Sequence, residues 1–227
     1  MTRTACFDAI LFDCDGVLVD SEPITHRVLA EMLAEQGWAI SLEEASRIFT
    51  GKTVRDESAL ITSHTGKPVT DAWLAEFWQR RNAALETELL EIPGAGRAVQ
   101  SLHQTLDGRI AVASGADRRK VELQLRKTGL YDYFQERICS GHEQARNKPY
   151  PDVYLAAAKL LGADPARCAV VEDTVTGTRA GVAAGATVFG YSPGGLGHSS
   201  AQELRDAGAS HIFQDMADLP ALITAGA

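Results

Sequence analysis

Short, wholly apolar runs along this chain break off at charged or small polar residues, and between them apolar positions recur at helical spacing. The first run, Ala9-Ile10-Leu11-Phe12, is too short for a helix and apolar at every position. Successive side chains of a strand point to opposite faces, so such a run predicts a central strand of a covered parallel sheet. It ends at Asp13 and Asp15, with Gly16 directly behind. The pattern then turns helical. Asp20 or Ser21 is placed to cap a helix, Pro23 suits its first turn, and Ile24, Val28, Leu29, Met32 and Leu33 share a face up to Gly37.

From about Ser41 to Leu89 the apolar spacing stays helical, with no strand candidate. Leu42, Ala45, Ile48 and Phe49 make one short face, and Val54 to Ser63 reads as a second helix, broken at Gly66-Lys67-Pro68. A longer helix follows with Trp73, Leu74, Phe77, Trp78, Leu85 and Leu89 along one side, its aromatic residues expected in a local core. So long a helical block is too large for a crossover. Residues 20–88 are therefore expected to form a small helical domain inserted after the first strand, with residues 1–19 and 89–227 as the main domain and hinges at the two junctions.

Beyond Ile92 strands and helices alternate. Strands are predicted at Arg109–Ala113, Arg137–Cys139, Cys168–Val171, Ala186–Tyr191 and His211–Phe213. Helices are predicted from Pro93-Gly94 to about Leu106, over Asp117–Lys127, from Pro151 through Leu161, over Val175–Ala184 and after Ser199. This rhythm predicts an α/β fold: a Rossmann-like parallel sheet in a three-layer α/β/α sandwich, with an inserted all-helical cap.

Length and composition fit that picture. The 227 residues suffice for one sizeable core with a small insert, and 45% hydrophobic with 23% charged residues is ordinary for a globular protein. A net charge of −8 argues against nucleic acid as a partner. Cys6, Cys14, Cys139 and Cys168 have no metal-binding spacing; Cys14 lies between two acids, which disfavours a thiolate, and reads as a neutral spacer. No stretch reads as a leader or membrane span, so a reduced cytoplasmic setting is the expectation; a monomer is the expected oligomeric state.

The informative polar residues follow the apolar strands: Asp13 and Asp15 after the first, Ser114 and Gly115 after the second, Lys148 in the loop after the third, Glu172 and Asp173 after the fourth. In a parallel sheet these positions share one edge. Several carboxylates gathered there repel one another unless a cation sits among them, and an all-oxygen set suits a hard ion such as Mg²⁺. A carboxylate can attack phosphorus, and a second can pass a proton. A serine with the backbone N–H groups of a following helix can hold a phosphoryl oxygen, and a lysine offsets the accumulated charge.

The stretch FDCDGVLVDS resembles the first motif, DxDGxxxD, of the haloacid dehalogenase-like superfamily. AVASG with Ser114, KPYPD with Lys148 and VVEDTVTG with Glu172 and Asp173 follow in the family's order. The KPxPD and ED combination is similar to the branch holding β-phosphoglucomutase and sugar-phosphate phosphatases. The resemblance implies Asp13 as nucleophile and Asp15 as general acid/base. It implies Mg²⁺ held by Asp13, the backbone carbonyl of Asp15, Asp173 and Glu172, the last as a ligand or a partner of the ligands. Ser114, Gly115 and Lys148 would bind the phosphoryl group. The chain departs from the branch at Thr174, where serine is usual, and at Thr25-His26, where the histidine stands one residue late; Thr50–Arg55 matches the mutase's phosphate-binding segment only loosely.

The expected function is thus Mg²⁺-dependent hydrolysis of a small phosphomonoester, a sugar or sugar-acid phosphate, through an aspartyl-phosphate. A sugar phosphomutase is the alternative, ahead of a phosphonoacetaldehyde-type hydrolase or a non-catalytic binding protein. Lys52 and Arg81 are the candidate substrate contacts in the insert, although isolated charges there usually face solvent. The six histidines show no ligand spacing and are expected to be structural or on the surface. The glycines at 194, 195 and 197 lack the register of a dinucleotide loop.

Overall fold

The structure is a computed structural model and describes residues 7–225, so Cys6 lies outside the described residues. Six strands, β1 (Ala9–Phe12), β2 (Ile110–Ser114), β3 (Ile138–Ser140), β4 (Cys168–Glu172), β5 (Thr187–Tyr191) and β6 (His211–Phe213), form one sheet in the order β3-β2-β1-β4-β5-β6. Every neighbouring pair is parallel. The chain leaves β1 toward β2 and β3, then returns to place β4 on the other side of β1. The crevice at the carboxyl end of β1 is therefore the topological switch point, where open α/β sheets bind ligands.

Helices α1 (Glu22–Glu35), α2 (Leu42–Phe49), α3 (Ser58–Thr65) and α4 (Asp71–Glu88) precede α5 (Ala95–Thr105), α6 (Arg118–Lys127), α7 (Tyr131–Phe134), α8 (Asp152–Leu160), α9 (Val175–Ala183), α10 (Ala201–Asp206) and α11 (Leu219–Ala225). Two compact units result. One comprises the described parts of Met1–Asp20, Leu90–Gly194 and His198–Ala227; the other is Ser21–Leu89 with Gly195–Gly197.

Alternation along β1 decides the core of the sheet unit. Ala9 and Leu11 face a cluster with Ala111, Ala113, Val170 and Val188, packed on Tyr154, Ala157 and Ala158 of α8 and Ala180 of α9. Small residues on that face let the helices lie close; a Cβ at Gly181 of α9 would stand 2.8 Å from Val188. On the opposite face the Phe12 ring meets Phe134 of α7 edge-on, with centroids 6.0 Å apart. Each large side chain so enclosed contributes about 1.5–3 kcal/mol.

The helical unit closes its own core from Val28, Leu29, Met32 and Leu33 of α1, Ala45 and Phe49 of α2, Ile61 of α3 and Phe77 of α4. Its α2 starts on a capping box: Ser41 Oγ accepts from the Glu44 N–H while Glu44 accepts from the Ser41 N–H at 2.9 Å. Several expectations fail here. The second helix begins at Ser58 rather than Val54, because residues 54–57 are taken up by turns. Ser21 flanks α1 in a helical conformation and makes no side-chain capping bond. Trp78 is 39% exposed, lying off the stripe that buries Leu74, Phe77 and Leu85. No helix among the described residues is long and apolar enough to cross a membrane.

Candidate active site

The strand β1 delivers Asp13 to the switch point, where its N–H donates to the Val171 carbonyl of β4 at 3.0 Å. The chain then turns tightly: the N–H groups of Leu18 and Val19 both donate to the Cys14 carbonyl, at 2.9 and 3.1 Å. Gly16 in this turn has φ +77°, and a Cβ there would stand 2.1 Å from Asp173 Oδ2. Glycine is required twice over at this position, for its dihedral and for the carboxylate lying against its backbone.

Lys148 arrives from the loop after β3 and donates to Asp13 Oδ1 and Glu172 Oε1, both at 2.7 Å. Glu172, the last residue of β4, is fully buried. Its Oε1 also accepts from the Tyr154 hydroxyl at 2.7 Å, and its Oε2 accepts from the N–H groups of Asp173 and Thr174 at 3.1 and 3.2 Å and from Thr174 Oγ1 at 3.1 Å. The Thr174 hydroxyl thereby anchors Glu172 and also caps α9 by accepting from the Gly177 N–H at 3.1 Å. Asp173 is 1% exposed, and its Oδ2 lies 3.0 Å from His198 Nδ1.

Asp15 is held from another direction. Its Oδ1 accepts from Lys120 Nζ at 2.8 Å and from Gln124 Nε2 at 2.7 Å, both on α6. The Cys14 thiol donates to Gln124 Oε1 at 3.5 Å. Ser114 ends β2 beside β1, nearly buried, and its Oγ accepts from the Ala116 N–H at 3.1 Å. Gly115 is tied to the lysine loop by Asn147, which donates to the Gly115 carbonyl and accepts from the Lys148 N–H, both at 2.8 Å.

Electrostatics follow from burial. Burial, together with Glu172, Asp173 and Asp15, pushes the Asp13 carboxyl well above its ordinary value despite the opposing Lys148 ammonium. For Lys148 burial works toward neutrality, yet Asp13 and Glu172 prevail and hold the ammonium charged. Burial raises the Cys14 thiol well above its usual range, and Asp15 and Asp13 add to this, so it is the neutral donor seen toward Gln124.

Asp13, Glu172 and Asp173 each offer a carboxylate oxygen within 4.8 Å of the others, all three buried. This all-oxygen, strongly anionic set fits a hard divalent cation. Lys52 and Arg81 belong to the helical unit, not to the unit bearing the acids. Lys52 is exposed and pairs with Glu57 at 3.1 Å. Arg81 is buried instead of solvated, its guanidinium 5.7 Å from the Phe77 ring centroid.

Lys120, Gln124, Asn147, Tyr154 and His198 were not singled out by sequence reasoning. A signal existed for the first two: Lys120, Val121, Gln124 and Leu125 form the buried stripe of α6, so two polar residues occupy apolar positions. His198, in a glycine-rich loop, carried no periodic signal.

A parallel α/β sheet with paired acids at its switch point, a lysine between carboxylates and a helical insert after β1 define a Rossmann-like fold with an acidic, lysine-bridged site. The family profile of haloacid dehalogenase-like hydrolases matches residues 7–185, and the chain belongs to that family. It is 30% identical over 183 residues to the 6-phosphogluconate phosphatase of Escherichia coli K12, covering 80% of this chain and 81% of that one. Among solved structures, a conserved haloacid dehalogenase-like protein from Agrobacterium tumefaciens C58 superposes with a TM-score of 0.83 at 35% identity, covering 96% of this chain and 98% of that one. A HAD family hydrolase from Deinococcus radiodurans R1 with bound phosphate and sodium gives 0.81 at 36% identity, covering 98% and 97%.

Proposed function

We propose that this protein is a Mg²⁺-dependent phosphatase of a small phosphomonoester, a sugar or sugar-acid phosphate, working through an aspartyl-phosphate on Asp13. The observation that carries the reading is the Asp13 carboxylate at the end of β1, bonded at 2.7 Å to Lys148 and grouped with Glu172 and Asp173. Kinship with a 6-phosphogluconate phosphatase supports the substrate class.

In this mechanism an Asp13 oxygen attacks phosphorus while the bond from phosphorus to the ester oxygen breaks. Asp15 gives its proton to that departing oxygen. Water then attacks the phosphorus of the aspartyl-phosphate, yielding its proton to Asp15 as the bond to Asp13 breaks and inorganic phosphate leaves. Ser114, the N–H groups from Gly115 onward and Lys148 hold the phosphoryl oxygens. Bound Mg²⁺, held by Asp13, the Asp15 carbonyl and Asp173, with Glu172 as a further ligand or as the anchor of Lys148, would supply neutralisation of the facing oxygens. By the family resemblance the helical insert would act as a cap and supply the residues that select the substrate.

The test is phosphate release from a phosphomonoester panel with Mg²⁺. The expected outcome is hydrolysis of several sugar and sugar-acid phosphates, loss of release in EDTA, and background activity for Asp13→Asn. An Asp13→Asn protein keeping a tenth or more of the activity removes Asp13 as nucleophile.

A further inference from the structure

We propose that Lys120 and Gln124 are positioning residues that hold the Asp15 carboxyl group in register for proton transfer to the departing ester oxygen; this rests on the phosphatase reading above. Lys120 and Gln124 lie one turn apart on α6, and both donate to the same oxygen, Asp15 Oδ1, at 2.8 and 2.7 Å. With Oδ1 held by two donors from one helix, the plane of the Asp15 carboxyl group, and with it the direction in which Oδ2 points, is set by α6.

The clamp is built to stay put. Asp117 caps α6 by accepting from the Lys120 N–H at 3.0 Å, which fixes the backbone from which the lysine reaches. Gln124 is fully buried, and the Cys14 thiol donating to its Oε1 determines which end of the amide faces Asp15. Cys14 thus has a task beyond spacing: from between the two acids it orients the amide that orients the second. For packing alone, apolar residues on the α6 stripe would serve as well, since a buried ion pair is often matched by hydrophobic residues of similar volume.

The near-isosteric variants Lys120→Met and Gln124→Leu, with Lys120→Arg as the conservative control, separate positioning from structure. Each is assayed with Mg²⁺ on an alkyl phosphate and on p-nitrophenyl phosphate, whose phenolate leaves without a proton. The value of kcat/KM reports the step in which the leaving group departs. Expected is a fall of about tenfold or more in the ratio of kcat/KM for the alkyl ester to that for the aryl ester, with Lys120→Arg restoring most of it. Equal losses on both esters, no loss on either, or a Lys120→Arg protein no better than Lys120→Met would overturn the clamp while leaving the phosphatase reading intact. A wild-type protein that hydrolyses neither ester removes the phosphatase reading, and the clamp with it.

Discussion

Lys148 stands between two enclosed carboxylates at equal distances of 2.7 Å and is the cation that lets both remain close. Glu172 cannot move away, because backbone and side-chain donors fix both of its oxygens. Removing the ammonium leaves two like charges in a site that water barely reaches. Lys148→Met is therefore expected to destabilise the metal-free protein by about 3–5 kcal/mol, beyond what lost packing accounts for. Urea unfolding in EDTA measures this. A variant within 1 kcal/mol of wild type would mean that Asp13 or Glu172 is already neutral there.

At the scale of elements, α9 is held against the end of β4 by a missing side chain. A Cβ on Gly177 would lie 1.6 Å from Glu172 Oε1, inside the carboxylate that anchors Lys148. Helix propensity alone favours Gly177→Ala by about 0.8–1 kcal/mol. The clash is with an immobilised, fully buried group, so it wins: G177A is expected to melt below wild type and to lose phosphate release together with stability. A higher melting temperature would show that Glu172 can withdraw, and with it that its network is soft.

The same contrast explains what was legible in the sequence. Strands β1, β2 and β4 announce themselves because they are apolar on both faces and stop at polar residues, which also marks Asp13, Ser114, Glu172 and Asp173. The onset of α3 was not legible, since Val54 continues an apolar spacing while residues 54–57 form turns. Arg81 was misplaced because its charge outweighed its position. It falls on the stripe of Leu74, Phe77 and Leu85, and an arginine can bury its stem there over an aromatic ring. Lys120 and Gln124 have the same origin: polar residues on a helix's inner face read as solvated until a buried partner is known.

At the scale of the whole molecule, charge and topology combine. The chain carries a net −8, and only the folded sheet brings Asp13, just past β1, beside Glu172 and Asp173 at the end of β4. A divalent cation bound there stabilises the native state and not the unfolded chain. At about 100 times its Kd, Mg²⁺ should add about 2.7 kcal/mol, a rise of about 5–10 °C in Tm. Because any salt screens so acidic a protein, the reference is KCl at matched ionic strength. The shift also has a pH signature. Burial raises the Asp13 carboxyl well above the unfolded value of 3.8, so in the metal-free protein its contribution opposes folding above the raised value and fades as pH falls toward 3.8. Over that window protons compete with the metal, and the Mg²⁺-induced rise should shrink as pH falls. Asp173→Asn, which lies just outside β4 and keeps the side-chain volume, should reduce the rise at neutral pH to that of KCl. A Mg²⁺ rise that survives in Asp173→Asn, or that grows on acidification, would place the cation elsewhere than among these three carboxylates.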